Sequence, residues 1–289
     1  MSDAPGITVG VDGSAPARTA LDWAVGYARV RSLPLAVVTG VGWPGEPSAF
    51  GARRVARLKD AARTDGEHLL ARTVDDVRAE FPELPVTGQV SDETGVRALL
   101  AAAPSSDTVV VGSWGLDPAA GLLLGSVSAA VAAHSPVPVV VVHDDRRPGP
   151  DAPVVAGIDG SAPDDTTLGT AFAEAERWAA PLVVVHAWSD VSVVGMFGSA
   201  AVPSWIEARH EADELIEHQV GPWRAKYPGV RVGTVAEREQ PARVLERLSA
   251  TAGLTVVGAH GRGGFSGMRL GSVARRLVHH ADGPLLVVR

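Results

Sequence analysis

The sequence predicts an α/β protein of two tandem Rossmann-like domains, each with a five-stranded parallel sheet in the order 3-2-1-4-5 flanked by helices. Three observations predict this fold. Short and mostly continuous apolar runs alternate with helical segments, as in parallel sheets covered on both faces. The whole plan occurs twice along the chain. Glycine-containing turns follow the first and fourth strands of each copy, and this strand order would bring them to one crevice.

The first half begins with an apolar run over residues 6–11. Ser14 and Pro16 then mark a helix start, because proline is tolerated in a first turn, and apolar residues recur at helical spacing to about Arg31. The same criteria predict the remaining elements. In order, they are a strand over 35–39, a loop over 42–51, a helix over 54–78, a strand over 86–90, a helix over 96–103, a strand over 108–111, a helix over 126–133 and a strand over 137–142.

The second half repeats this order. Residues 9–16, Val-Gly-Val-Asp-Gly-Ser-Ala-Pro, match residues 156–163, Ala-Gly-Ile-Asp-Gly-Ser-Ala-Pro. Its long helix opens at Ser204, and the spacing from Ser204 to Glu207 predicts a capping box. A polar stretch rich in proline and glycine separates the halves, which predicts domains over 1–144 and 152–289 joined by a linker over 145–151. Each domain is long enough to bury its own core.

Composition narrows the class of protein. A net charge of −7 without any run of Lys or Arg argues against a nucleic-acid surface. The absence of cysteine excludes disulfides, thiolate metal sites and thiol nucleophiles. No apolar stretch approaches the roughly 20 residues of a membrane helix, and no signal peptide is visible. We therefore expect a soluble, cytoplasmic protein that does not bind membranes.

The glycine turn after the fourth strand carries the strongest chemical signal. Its spacing, Gly-x2-Gly-x9-Gly-Ser, occurs in both halves, as Gly112, Gly115, Gly125 and Ser126 and again as Gly258, Gly261, Gly271 and Ser272. A strand that ends in glycines and leads into a helix can aim several main-chain N–H groups at one anion. One glycine triad would mean little, but two copies at identical spacing favour a phosphate site. The serines are also expected to be helix N-caps, a role compatible with phosphate contact.

Asp12 and Asp159 end the first strand of each half, in Asp-Gly-Ser turns. Aspartate is common in such turns simply because it bonds its own backbone. Its repeated position opposite the glycine turn favours a ligand contact. For His260, the sequence does not decide between a contact with phosphate and exposure to solvent. The aromatic residues after the second strands, among them Trp43, Trp188, Trp205 and Phe197, are expected to pack between domains or subunits, with a lid over the ligand as the alternative.

With these residues in view, the chain resembles the tandem-domain, ATP-binding (actinobacterial-type) members of the universal stress protein family. The most specific part is residues 256–273, which look like the family's G-x2-G-x9-G-[S/T] loop. The resemblance implies that each domain binds an adenine nucleotide: ATP, with or without Mg²⁺. It also implies a role in stress survival or dormancy, a homodimer often built through the last strands, and no defined metabolic reaction.

The resemblance assigns roles to particular residues. Asp12 and Asp159 would lie on the nucleoside side, Gly10 and Gly157 would let the backbone pass close to the ligand, and the main chain of Gly40 and Ala187 would contact adenine. The residues assigned to the ribose and phosphates are Gly112, Gly115, Gly125, Ser126 and Val127 in the first domain and Gly258, Gly261, Arg262, Gly263, Gly271, Ser272 and Val273 in the second. The chemistry agrees, since Arg262 can add a charge-assisted bond to phosphate.

The first domain departs from this pattern. It has Asp117 and Pro118 where the second has Gly263 and Gly264, and nothing equivalent to Arg262. An extra negative charge repels a triphosphate and proline lacks an N–H group. We therefore expect the second domain to bind ATP more tightly.

Three functions compete: an ATP-binding regulatory protein, a slow ATPase or nucleotidyl-transferring enzyme, and a flavin or electron-transfer module. Neither Lys59 nor Lys226 stands in a Walker A motif, and no Gly-x-Ser-x-Gly elbow occurs. No pair of carboxylates flanks the glycine turn to hold magnesium. The sequence therefore predicts binding with little or slow hydrolysis, and it assigns no catalytic residue and no metal ligand.

Overall fold

The computed structural model describes residues 6–42, 52–113, 126–162, 164–189, 205–262 and 269–289. The chain forms two compact units, Met1–Asp145 and Arg146–Arg289. The strands of the first unit are β1 (Gly6–Gly10), β2 (Leu35–Gly40), β3 (Val86–Ser91), β4 (Ser106–Gly112) and β5 (Val139–Val142). Its helices are α1 (Ala15–Arg31), α2 (Ala52–Glu80), α3 (Gly95–Ala102) and α4 (Ser126–His134).

The first unit confirms the predicted sheet. Its strands are parallel and lie in the order β3-β2-β1-β4-β5. The β-branched run of β5 is completely buried, and Ile7 and Val9 of β1 are equally inaccessible. Trp23 and Tyr27 of α1 pack against each other below this sheet, with ring centroids 4.7 Å apart. Both side chains are buried, and α1 contacts β1 and β4, so apolar burial stabilises its packing on the sheet.

The second unit repeats the architecture. Its strands are β6 (Val154–Ile158), β7 (Leu182–Ala187), β8 (Val232–Glu237), β9 (Leu254–Gly258) and β10 (Leu285–Val288). Its helices are α5 (Asp164–Arg177), α6 (Trp205–Lys226), α7 (Pro241–Ser249) and α8 (Ser272–His280). The strands are parallel in the order β8-β7-β6-β9-β10, so β6 and β9 flank the point where the winding direction reverses. The predicted α/β class and strand order therefore hold in both halves.

An aromatic cluster fixes α6 against α5. Trp223 and Tyr227 stack near Phe172, with centroid distances of 6.3 and 5.7 Å. The indole Nε1 of Trp223 donates to Asp165 at 3.1 Å. A Cβ on Gly169 would lie 2.6 Å from the edge of the Trp223 ring, so glycine makes this close approach of the helices feasible.

The first helices of the two units begin differently. Ser14 caps α1, and its Oγ accepts from the N–H of Ala17 at 3.3 Å. By the sequence match, α5 begins two residues later, at Asp164, whose carboxylate bonds back to the preceding turn. Helix α6 begins at Trp205, while Ser204 and the side chain of Glu207 lie outside the described residues, so the capping box stays a prediction.

The second unit begins ahead of β6, at Arg146, and its first residues contact later parts of the same unit. The Arg146 guanidinium donates to the carbonyl of Asp282 at 2.7 Å and also to that of Ala250. The backbone of Pro148 lies so close to Gly253 that a Cβ there would be 2.3 Å from the proline Cα. In the part of the chain that the structure describes, no helix combines the length and the apolar character needed to cross a membrane.

Candidate functional site

A cavity of about 160 Å³ lies at the carboxyl ends of β6, β7 and β9 in the second unit. This is the position where doubly wound sheets bind ligands, because loops diverge where the winding reverses. Many predicted site residues line it. They are Gly157, Asp159, Ala187, Gly258, Gly261, Gly271, Ser272 and Val273.

The inner wall of the cavity is apolar. Val185 and Val257 contribute from the sheet, and Leu245 and Pro241 from α7. The structure also gives Gly157 a packing role, because a Cβ there would lie 2.7 Å from the Leu245 Cδ1. Glycine at this position brings α7 close to the end of β6.

The first turn of α8 opens on the same cavity, through Ser272, Val273 and Ala274. The N-cap is Gly271, in extended conformation, and no side chain caps the helix. The prediction that Ser272 is the N-cap is therefore wrong: Gly271 donates its N–H to the Ala259 carbonyl at 2.7 Å, and Ser272 is already helical. Helix α4 begins at Ser126, whose side chain lies outside the described residues, so the N-cap role there stays a prediction. An uncapped first turn leaves main-chain N–H groups for a ligand.

Asp159 connects the two turns that border the cavity. Its Oδ1 accepts from the N–H of Ser161 at 3.0 Å, which is the local turn bond that aspartate favours. Its Oδ2 accepts from the N–H of Arg262 at 2.7 Å, across the crevice. A Cβ on Gly261 would lie 2.2 Å from that oxygen, so the carboxylate requires glycine in the facing loop.

Arg262 adds a second bond between these turns. Its Nη2 donates to the Gly160 carbonyl at 3.0 Å, and the residue is exposed. Arg262 does not line the cavity, whereas His260 does. Gly263 lies outside the described residues.

Asp164 is a cavity residue that the sequence analysis missed. It is only 6% exposed, and its Oδ2 accepts three consecutive N–H groups, those of Asp159 at 3.0 Å, Gly160 at 2.5 Å and Ser161 at 3.1 Å. Burial and then the Asp159 charge raise the pKa of the Asp164 carboxyl, against the effect of the bonds from the turn and from Gln219. A signal was present, because Ser161-x-x-Asp164 has capping-box spacing.

The described part of the first unit places its predicted residues at matching strand ends. Asp12 Oδ1 accepts from Ser14 N at 2.9 Å, the same turn bond as in the second unit. Packing accounts for several glycines there. A Cβ would lie 2.9 Å from Leu99 Cδ1 at Gly10, 2.7 Å from Gly95 Cα at Gly40 and 2.5 Å from the Pro16 carbonyl at Gly112. Val127 is 40% exposed on α4, while Gly115, Gly125 and the Ser126 side chain lie outside the described residues.

Other predicted contacts are settled only in part. Trp188 stacks on His186, with ring centroids 6.0 Å apart, within the second unit. Trp43, Phe197 and the side chain of Trp205 lie outside the described residues. Over the ranges that the structure describes, no group of three or more His, Asp or Glu side chains is placed to hold a metal ion.

Comparison with known proteins gives consistent results. The model of the universal stress protein family matches residues 6–143 and 152–289. A universal stress protein from Mycolicibacterium smegmatis is 35% identical over 294 residues, covering 98% of this chain and 97% of the relative. Universal stress protein Rv1996 from Mycobacterium tuberculosis is 36% identical over 300 residues, covering 98% and 95%. The crystal structure of a universal stress protein from Archaeoglobus fulgidus aligns with a TM-score of 0.72 at 18% identity, covering 100% of this chain and 99% of that one, which supports the fold.

Proposed function

We propose that this chain, which belongs to the universal stress protein family, is a cytoplasmic regulatory protein that binds ATP, with or without Mg²⁺, in a stress or dormancy response. One observation carries the proposal: the uncapped first turn of α8 opens on an apolar-walled cavity at the switch point of the sheet. Free N–H groups and the positive end of the helix dipole favour phosphate oxygens.

The charged residues near the first turn of α8 also support ATP as the ligand. Residues 258–281 contain four arginines, Arg262, Arg269, Arg275 and Arg276, and no acidic residue, although the whole chain carries −7. Arg276 is paired with Glu246, so the other arginines are the ones that can attract a polyanion to this segment. We therefore place the polyphosphate at the start of α8 and the glycine loop.

The nucleoside end of the ligand fits the apolar wall of the cavity. Val185, Val257 and Leu245 offer apolar surface for a flat base, and Ala187 ends β7 at the rim, where its main chain can bond adenine. Asp159 lines the same cavity, and the family resemblance assigns it to the nucleoside side. The family resemblance supports this orientation and a homodimer as the assembled form.

Binding is favoured over turnover because the carboxylates at this site already have partners. Both Asp159 oxygens accept main-chain N–H groups, and one Asp164 oxygen accepts three. These bonds occupy acceptor positions that a general base needs free in order to take a proton from water. We expect phosphate release from ATP well below about 1 s⁻¹, the lower end of ordinary enzyme turnover.

The test compares Ser272→Asp with its counterpart Ser126→Asp in the full chain. An acidic residue in a first turn is compatible with the helix, so folding should persist, but its charge repels phosphate. We expect Ser272→Asp to weaken ATP binding by about 10- to 100-fold, or about 1.4–2.8 kcal/mol, in calorimetry. Ser126→Asp should have the smaller effect, because the first unit has the acidic, proline-containing loop.

A larger loss from Ser126→Asp would reverse the ranking of the two units. Adenosine, AMP, ADP, cyclic AMP and GTP belong in the same titration series, together with chromatography of any nucleotide released by heating the purified protein. Failure of every purine nucleotide to bind at millimolar concentration would contradict the proposal. A yellow protein with visible absorbance would indicate a flavin instead.

A further inference from the structure

Asp164 fills an anion site made of main-chain amides. The N–H groups of three consecutive residues, Asp159 to Ser161, converge on its Oδ2 at 3.0, 2.5 and 3.1 Å. Such a convergence is a main-chain nest, which binds anions such as phosphate in other proteins. The side chain is 6% exposed and lines the cavity proposed to hold the nucleotide. An anion therefore already occupies the nucleoside end of that cavity.

The first unit makes the same turn without this carboxylate. Gly13 has φ +82° and Gly160 has φ +80°, and the aspartate bonds the serine N–H in both turns. The position that matches Asp164 is Ala17, which is buried. Within the described part of the chain, the N–H groups of Asp12 and Gly13 form no hydrogen bond. The turn therefore does not need the carboxylate in order to form.

Helix capping explains only part of the arrangement. In a capping box, the acidic side chain bonds the N–H of the serine, here Ser161. The bonds from Asp159 and Gly160 lie outside such a box. The Ser161 Oγ, which would complete the box, is buried without a partner. A buried carboxylate next to Asp159 is also unfavourable, as the raised pKa of Asp164 shows.

Given the proposed nucleotide site, on which this inference rests, we infer that Asp164 is a specificity-determining residue that keeps ligand phosphates out of the Asp159–Ser161 nest. The polyphosphate is then left with the start of α8, and ligands with a further phosphate at the nucleoside end are rejected. The open nest of the first unit accepts inorganic phosphate, while the filled nest of the second does not.

The test follows two glycine amides by NMR in the perdeuterated full chain. Gly13 and Gly160 report the two nests during titration with inorganic phosphate, with sodium chloride at matched ionic strength as the reference. In the wild-type protein we expect the Gly13 amide to shift with a Kd of about 1–10 mM and the Gly160 amide to remain in place. Asp164→Ala should make Gly160 respond in the same range.

Matched variants separate this effect from loss of charge or of fold. Ala17→Asp should close the first nest and weaken the Gly13 response at least about tenfold. Asp165→Ala removes a neighbouring carboxylate that bonds Trp223 rather than the turn, and it should leave the Gly160 amide silent. The inference would be overturned if phosphate shifted the Gly160 amide signal in the wild-type protein, or failed to shift it in Asp164→Ala. An unchanged Gly13 response in Ala17→Asp would overturn it independently, even if Asp164→Ala did not fold.

Nucleotide binding supplies the specificity readout. Adenosine 3′,5′-bisphosphate should bind Asp164→Ala at least about tenfold more tightly than wild type, whereas AMP should change less than about threefold. Equal changes for both ligands would contradict a role in specificity. If no adenine nucleotide binds the wild-type protein, the proposed function fails, but the phosphate titration still decides whether Asp164 closes the nest.

Discussion

At the scale of single residues, the site depends on which atoms are already bonded. Asp159 holds the Arg262 N–H across the crevice at 2.7 Å, and the position of its Oδ2 leaves no room for a side chain at Gly261. One oxygen of Asp164, Oδ2, accepts three N–H groups of the turn before it. These contacts make both carboxylates structural acceptors, and they leave the uncapped amides of α8 as the open donors at the cavity.

The protonation of Asp164 should be visible in the pH dependence of stability. Its native pKa is raised above the unfolded value of 3.8, so the native state binds more protons between these two pKa values. The stabilisation is present below about pH 3.8 and is lost as the pH rises through the native pKa. Asp159 and Gln219 are the side chains that act on the pKa of this carboxyl.

We therefore expect Asp164→Asn to flatten the acid limb of the stability curve. Urea unfolding at pH values from 3.5 to 7 would show wild type losing stability relative to Asp164→Asn as the pH increases. Asp165→Asn serves as the reference, because its exposed carboxylate bonds Trp223 instead of the turn. Parallel curves for wild type and Asp164→Asn would contradict the assigned pKa shift.

At the scale of helices and strands, most of the fold was predictable because hydrophobic periodicity and duplication act over many residues. The ends of the helices were harder to predict from the sequence. Ser272 has the composition of an N-cap, but the Gly271–Ala259 hydrogen bond moves the cap back by one residue. Asp164 escaped because its importance depends on a turn geometry and on burial, neither of which its residue type alone reveals. The first case was decided by a bond between two loops, and the second by a local turn together with burial.

The contact between α5 and α6 positions a residue of the candidate site. Helix α5 carries Asp164, and α6 carries Gln219, whose side chain lowers the pKa of the Asp164 carboxyl. Gly169→Ala should disturb this pair, because the new methyl would lie 2.6 Å from the Trp223 ring, and the bond to Asp165 restrains that ring. We expect a loss of about 1–2 kcal/mol in the free energy of unfolding, with overpacking outweighing the better helix propensity of alanine.

Gly233→Ala is the matched comparison for this substitution. A Cβ at Gly233 meets nothing within 4 Å, so this change should stay within about 0.5 kcal/mol of wild type. Chemical denaturation of both variants provides the measurement. Equal destabilisation by the two substitutions would show that the ring contact is not what limits residue 169.

At the scale of the whole molecule, the two halves share a plan and differ in a few residues that matter. Ala17 stands in the first where Asp164 stands in the second, and Asp117 where Gly263 stands. Each half is a compact unit with its own sheet. We therefore expect the duplicated sites to differ in both affinity and selectivity.

The extent of the second unit can be tested with fragments. Arg146 bonds the carbonyls of Ala250 and Asp282, and Pro148 packs on Gly253. A fragment over 146–289 should therefore be more stable than one over 152–289 by about 1–3 kcal/mol. Thermal and urea unfolding of the two fragments would measure this difference. Equal stability would mean that the segment 146–151 contributes nothing.

The contacts of Arg146 and Pro148 have a practical consequence for choosing where to separate the two halves of the chain. The boundary suggested by sequence repetition lies at residue 152, whereas the compact second unit begins at Arg146. A truncation at residue 152 would remove the guanidinium donor of the Ser249, Ala250 and Asp282 carbonyls and the contact of Pro148 with Gly253. Swapping halves between related tandem proteins should accordingly join them ahead of Arg146.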